Sequence, residues 1–335
     1  MEINLFTAAL RGEFIKAMQA VQRPAPYEPF TTIIPSTARI ENYPWMTPGP
    51  GPSRYMGRRR KAQVDQIKYS VENVEYDATL SVPLRDIEDD QIGGYKMRMN
   101  EMTVKSGKPF ESKLVLTALA NGSSGTCFDG SNYFATTHNL GGYPATAPSS
   151  AFGGSGNALT MTATGSSDAV VHRFILMVHD DQTPLKPLIL QKRKSPEFRT
   201  DAGSPASFKA KEADYWIDFE LAAAYGYWWN SVQVVITNTP SLTEVFSIID
   251  ACRQQIRQFS LPRALPTDPI EYAHEQTQFS PATATIACSV GLEQLLNHAL
   301  NEDRVGVSVA GSTGGITSNI YYRGFNLVTS NLLNP

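Results

Sequence analysis

Cys127, in the run Gly-Thr-Cys-Phe-Asp, is followed eleven residues later by His138, and the two could act as nucleophile and general base. Such a pair needs a third group to orient the base, and the flanking residues carry no signature that supplies one. The other histidines (His172, His179, His274 and His298) form no HExxH. His172 and His179 stand seven apart in a strand-like run, where they face opposite sides, so metal ligation by this pair is not expected. The acids Asp86, Glu88, Asp89 and Asp90 could attract Mg²⁺ or Ca²⁺, but neither EF-hand spacing nor a Walker-type glycine loop accompanies them. Gly153-Gly154-Ser155-Gly156 has the glycine of a phosphate cradle without the Gly-Lys-Ser/Thr that completes one, and there is no GxSxG element. Arg58-Arg59-Arg60-Lys61 carries the charge to touch phosphates, yet a run of four more often meets acidic protein surface or solvent. The expectation is a chain with no catalytic site, no cofactor and no metal.

The elements around these residues follow from periodicity. Phe6, Leu10, Phe14, Ala17, Met18 and Val21 recur at helical spacing, which predicts a short amphipathic helix over 3–21. From Pro24 to Pro52 eight prolines remove backbone donors and favour extended structure, so neither regular helix nor central sheet is expected there. The stretch also carries Tyr27, Phe30, Ile33, Ile34, Tyr43 and Trp45, and reads as an arm that must lie on a surface. Two alternating runs follow, Ile67–Val71 and Val74–Val82, a β-ribbon or a pair of strands with a register change. The Asp86–Asp90 acids suit a helix N-terminus. The helical pattern then runs to about Asn121, with Gly93-Gly94 and Gly107-Lys108-Pro109 expected to kink or interrupt it. Residues 122–167 read as loop; Val170–Val178 and Leu185–Gln191 read as strands. Ser241-Leu-Thr-Glu244 is a capping box opening a helix to Phe259, and a strand over 282–288 precedes a helix over 290–302. Strands and helices come in uneven clusters, which gives the class α+β.

At 335 residues the chain is one large domain or two joined ones, with 41% hydrophobic and only 18% charged residues. The net charge of −3 argues against a dedicated nucleic-acid binder. Cys127, Cys252 and Cys288 are three and widely spaced, so free buried thiols are expected in a reducing cytoplasm. No run of about 18 apolar residues occurs, so no membrane span is expected, and the first ten residues lack the apolar core of a signal peptide.

Ile34-Pro-Ser-Thr-Ala-Arg-Ile-Glu-Asn-Tyr-Pro-Trp45, Val82-Pro-Leu-Arg-Asp-Ile-Glu-Asp-Asp90 and Leu185-Lys-Pro-Leu-Ile-Leu-Gln-Lys-Arg-Lys-Ser-Pro-Glu-Phe198 resemble segments of the Mu-like phage major head subunit (gpT) family. Cys127-Phe-Asp-Gly-Ser-Asn-Tyr-Phe-Ala-Thr-Thr-His138 stands at the expected place, although Thr137 and Asn139 replace the acid and the proline that flank the histidine in the family. The resemblance runs in order from about residue 30 to 300 and fades after 303. It implies an HK-ninety-seven-type capsid fold: helix and arm over 1–52, an E-loop-like ribbon over 53–84, spine helix and peripheral domain over 85–230, and a mainly axial domain over 231–335. It implies hexamers and pentamers of the chain in an icosahedral virion shell around double-stranded DNA held without sequence specificity. Scaffold and portal proteins and a decoration protein are the partners, and assembly takes place in the host cytoplasm. Tyr43 and Trp45 would meet a neighbouring subunit, and Arg58, Arg59, Arg60 and Lys61 would pair with Asp86, Glu88, Asp89 and Asp90 of one. The alternatives are a tail or baseplate structural protein, and a phage hydrolase using Cys127 and His138.

Overall fold

The computed structural model describes residues 3–20, 24–44, 46, 55, 57, 69–89, 91–140, 143–144, 153–179, 185–259, 273–274, 277–307 and 315–335. Helix α1 (Ile3–Ala20) buries Phe6, Leu10 and Ala17 along one stripe. The arm then forms two short strands, β1 (Thr31–Pro35) and β2 (Ile40–Asn42). β3 (Ser70–Glu72) and β4 (Val74–Pro83) are the alternating runs seen in the sequence. They do not pair with each other: β3 lies against β2, and β4 against a distant strand described below. Asn73 separates them, its backbone N–H held by the Arg39 carbonyl at 2.8 Å.

The helical stretch is three helices: α2 (Leu84–Glu88), α3 (Ile92–Ser106) and α4 (Lys108–Ala120). The break falls at Gly107, and Pro109 follows inside the first turn of α4, where its missing N–H costs nothing. Gly93-Gly94 sit in the first turn of α3 and do not interrupt it.

The region read as loop after Asn121 contains strands β5 (Asn139–Leu140), β6 (Tyr143–Pro144), β7 (Gly153–Ser155) and β8 (Ala158–Thr162). β9 (Val171–Val178) follows, then β10 (Leu188–Thr200), far longer than the run Leu185–Gln191 suggested. The short helix α5 (Pro205–Ala210) turns the chain into β11 (Glu212–Tyr225), and β12 (Ser231–Thr237) leads to α6 (Leu242–Gln258). Both halves of the expected capping box are present at Ser241 and Glu244. β13 (Ala284–Cys288), α7 (Glu293–Asn301), β14 (Arg304–Val307), β15 (Gly315–Ser318) and β16 (Asn326–Thr329) complete the chain.

Two sheets organise these elements. The first has order β1-β10-β11-β4, with α1, α3 and α4 on one face. Phe6 packs edge-on to Tyr95 of α3 and also on Tyr215 of β11, while Tyr76, Phe110 and Phe219 join β4, α4 and β11. The second has order β16-β13-β9-β12-β8-β7, and α6 and α7 accompany it. Its centre is apolar on both faces: every residue of β13 is buried, as are Phe174–Val178 of β9.

The described part of the arm lies on its own chain. Tyr27, Phe30, Tyr43 and Met46 are all buried in the core. β1 adds in parallel to β10 as an edge strand, a place that tolerates its Pro35. The Tyr27 hydroxyl donates to Glu111 of α4, Lys108 pairs with Glu28 at 2.8 Å, and Lys186 Nζ donates to the Glu28 carbonyl at 2.6 Å.

Candidate functional site

Cys127 and His138 do not form a nucleophile–base pair. The Cys127 thiol is buried and contacts the Gly226 carbonyl at 3.7 Å. Burial, with Asp129 nearby, pushes its ionisation well above that of a free thiol, the opposite of what a nucleophilic cysteine needs. His138 has both ring nitrogens occupied: Nδ1 lies 2.7 Å from Asp129 Oδ2 and Nε2 lies 3.1 Å from Asn157 Oδ1. The imidazole stacks on Trp228 with centroids 3.9 Å apart. Asn157 in turn donates to the Tyr133 and Trp228 carbonyls at 2.8 and 3.1 Å and accepts from the Ala135 N–H at 2.9 Å. Gly156 lets the chain enter this turn at φ +66°, where an added Cβ would stand 2.4 Å from the Ala135 carbonyl. The group is a buried knot that ties the segment after α4 to β8 and β12. Asp129, the orienting group missing from the sequence reading, sits two residues after Cys127 and is itself buried.

Two of the remaining histidines, His172 and His274, are buried in structural contacts too. His172 Nε2 meets Thr239 Oγ1 at 3.1 Å, and His274 Nε2 meets Asn230 Oδ1 at 3.0 Å. Among the described residues no group of three or more His, Cys, Asp and Glu could hold a metal ion. Among them, too, no helix is long and apolar enough to cross a membrane.

The residues expected to make contacts between subunits divide three ways. Trp45, Arg58, Arg59, Arg60, Lys61 and Asp90 lie outside the described residues. Tyr43 is 4% exposed, and its hydroxyl donates to Gln191 of β10. The burial that the sequence reading assigned to a neighbour is therefore provided within the chain. Asp86 stands in the first turn of α2, the N-terminal placement expected, and accepts from the Tyr95 hydroxyl. Glu88 and Asp89 end that five-residue helix and are exposed, with Arg85 4.0 Å from Asp89.

A second acidic surface was not visible in the sequence, because its members are far apart in the chain. On the face of the first sheet away from the helices, Glu75 stands opposite Glu220, and Asp77 opposite Asp218. Like charges directly opposite in an antiparallel pair repel. The β10 cations relieve the β11 side of each pair: Arg193 pairs with Glu220, and Lys194 and Arg199 with Asp218.

The described residues therefore give a two-sheet body in which Cys127 and His138 are locked in buried contacts and Glu75 and Asp77 stand exposed on one sheet face. The family model described as Mu-like prophage major head subunit gpT matches residues 3–263, more than three quarters of the chain. The chain belongs to this family. The Mu-like prophage FluMu major head subunit of Haemophilus influenzae is 28% identical over 207 residues, 61% of this chain and 64% of that protein. The major capsid protein of Escherichia phage Mu is 27% identical over 213 residues, 63% and 67% of the two chains. The match thus spans about two thirds of the length of these relatives. Among solved structures, the procapsid subunit of bacteriophage JBD30 superposes with TM-score 0.64 at 22% identity, over 97% of this chain and 98% of that one. Its capsid form gives 0.64 at 19% identity, over 95% of each. The α+β capsid-subunit fold expected from the resemblance is the fold of this chain. Major head subunits are structural proteins of the phage particle and not enzymes, in keeping with the inert surroundings of Cys127 and His138.

Proposed function

We propose that this chain builds the icosahedral shell of a tailed phage: it associates with copies of itself into hexamers and pentamers that enclose double-stranded DNA. The observation that carries this reading is membership of the major head subunit family over residues 3–263. The fold shared with the JBD30 procapsid supports it, since that chain has the same architecture across almost its full length. Scaffold and portal proteins act with it during assembly in the host cytoplasm, and the DNA is held without sequence specificity. A decoration partner also belongs to the proposal, because the JBD30 capsid is decorated with minor capsid protein trimers.

The contact proposed between subunits is electrostatic. Arg58, Arg59, Arg60 and Lys61 of one copy meet an acidic surface of the next, with Asp86, Glu88, Asp89 and Asp90 the set to be tested first. The alternative acidic surface is Glu75 and Asp77 on the open sheet face. An exposed pair contributes only ~0–1 kcal/mol, but a shell repeats the contact in every subunit. Arg59→Glu with Arg60→Glu should block empty-shell assembly, and Glu88→Lys with Asp89→Lys should partly restore it. Rescue by Glu75→Lys with Asp77→Lys instead moves the contact to the sheet face. If empty shells form normally and only DNA-filled particles suffer, the run contacts DNA and the assignment fails. A tail or baseplate role is the second reading; purified assemblies that are tubes or plates would establish it.

A further inference from the structure

The segment from Asn319 to Asn334 lies beyond residue 263, where the family match ends, and no function accounts for it. It makes four attachments in turn. Asn319 donates its side-chain amide to the Ala299 and Glu302 carbonyls at 2.6 and 2.7 Å, and the Arg323 N–H reaches the Leu300 carbonyl at 2.8 Å. These are the carbonyls that the end of α7 leaves unpaired. Tyr321 stacks on Phe246 of α6 at 5.5 Å, and the Arg253 guanidinium lies 4.9 Å from the Phe279 ring and 5.5 Å from that of Tyr321. β16 then extends the second sheet in parallel with β13.

The fourth attachment leaves the second sheet. The turn Asn331–Leu333 packs on α4, with Leu333 wholly buried. Asn334 Oδ1 accepts from the Val290 N–H at 3.3 Å, which anchors the turn back to the sheet side. α4 belongs to the other body of the subunit, since it packs on α3, β10 and β11. One stretch of chain therefore grips α6, α7 and β13 on one side and α4 on the other. At the same junction Arg173 of β9 donates to the Ala120 carbonyl, the last residue of α4, at 2.7 Å.

We propose that residues 319–334 are an intramolecular clasp, which holds the six-stranded sheet at a fixed angle to the α3–α4 helices through Leu333. The earlier attachments dock the segment firmly on the sheet side, so that the small knob at Leu333 is the separable part. Arg173 and the knot around His138 also cross this junction, so withdrawing the Leu333 knob loosens the angle without melting either body.

The test is a distance measurement on the full, unassembled chain, and so does not depend on whether the chain forms shells. Spin labels go on Lys113→Cys in α4 and Gln254→Cys in α6, both exposed positions, while Cys127, Cys252 and Cys288 are buried and stay unlabelled. The parent should give one narrow distance distribution by pulsed electron resonance. Leu333→Asp should at least double its width while the far-UV circular dichroism is unchanged; Leu333→Ala should shift it in the same direction, and Leu333→Met should keep it narrow. An unchanged width in both Leu333→Asp and Leu333→Ala overturns the proposal. So does loss of folded structure in Leu333→Ala, which would make the segment part of the core and no clasp.

Discussion

Removing residues 1–40 should unfold the subunit rather than release a free arm. A detachable arm would leave a soluble, folded monomer that fails only in assembly. In the structure this stretch contributes Phe6, Leu10 and Phe30, each no more than 1% exposed. Burying each such side chain is worth about 1.5–3 kcal/mol, so the three together supply on the order of 5–9 kcal/mol as an upper estimate. The whole stability of a folded domain is about 5–15 kcal/mol, so the loss is comparable with everything available. The truncation also removes β1 and uncovers the edge of β10, and it strips the Tyr27 hydroxyl and the Glu28 carboxylate from Glu111 and Lys108. The assay is expression of the truncated chain, followed by gel filtration, far-UV circular dichroism and urea titration. Aggregation, or a urea midpoint near zero, is expected. A truncated chain that stays monomeric and unfolds cooperatively near the parental midpoint would refute the reasoning, and the arm would be a separable element after all.

Replacing His138 by Ala leaves the buried Asp129 Oδ2 without its partner and should cost about 1–3 kcal/mol, read as a lower urea midpoint; a neutral result would show that the knot is not structural. Cys127→Ala should change no hydrolytic activity, and non-reducing electrophoresis should show only monomer, because all three thiols are buried and burial pushes Cys288 up to about 12. Gly291→Ala should destabilise by roughly 1–3 kcal/mol, since the added Cβ would stand 2.7 Å from the His172 ring; thermal melting checks it. Burial opposes the charge of Glu244, but bonds from Ser241 and Thr164 outweigh it and hold the carboxyl down at about 2. A carboxylate depressed in the fold stabilises above its unfolded range, about pH 4.3, and loses that contribution as pH falls toward 2. Glu244→Gln should therefore flatten part of the acid limb of the stability–pH curve, and an unchanged limb would contradict this.

Much of the helical framework was legible because its signals are local. The stripe of α1, the Gly107 break before Pro109, the Ser241–Glu244 box and the apolar run of β13 each lie within one helix, one turn or one strand. What stayed hidden depends on partners distant in the chain. β10 carries Gln-Lys-Arg-Lys-Ser-Pro in its middle, which reads as polar loop. Pairing with β11 makes it a strand, and register shifts between Lys192 and Glu197 accommodate Pro196. β8 is five residues in a Gly/Ser/Thr-rich stretch and becomes a strand by lying parallel to β12. The described part of the arm holds the short strands β1 and β2, but periodicity cannot say whose surface it covers, and Tyr43 lies on Gln191 of its own chain. No catalytic role was expected of His138, but the knot it forms was not legible, since Asp129, Asn157 and Trp228 meet it only in three dimensions.

The central claim, that this chain is a shell-building subunit, is tested most directly by electron microscopy of the full-length protein produced together with its scaffold. Closed particles of uniform diameter, with icosahedral symmetry and hexameric and pentameric capsomers, are the expected result. Tubes, plates or a persistent soluble monomer under those conditions would contradict it.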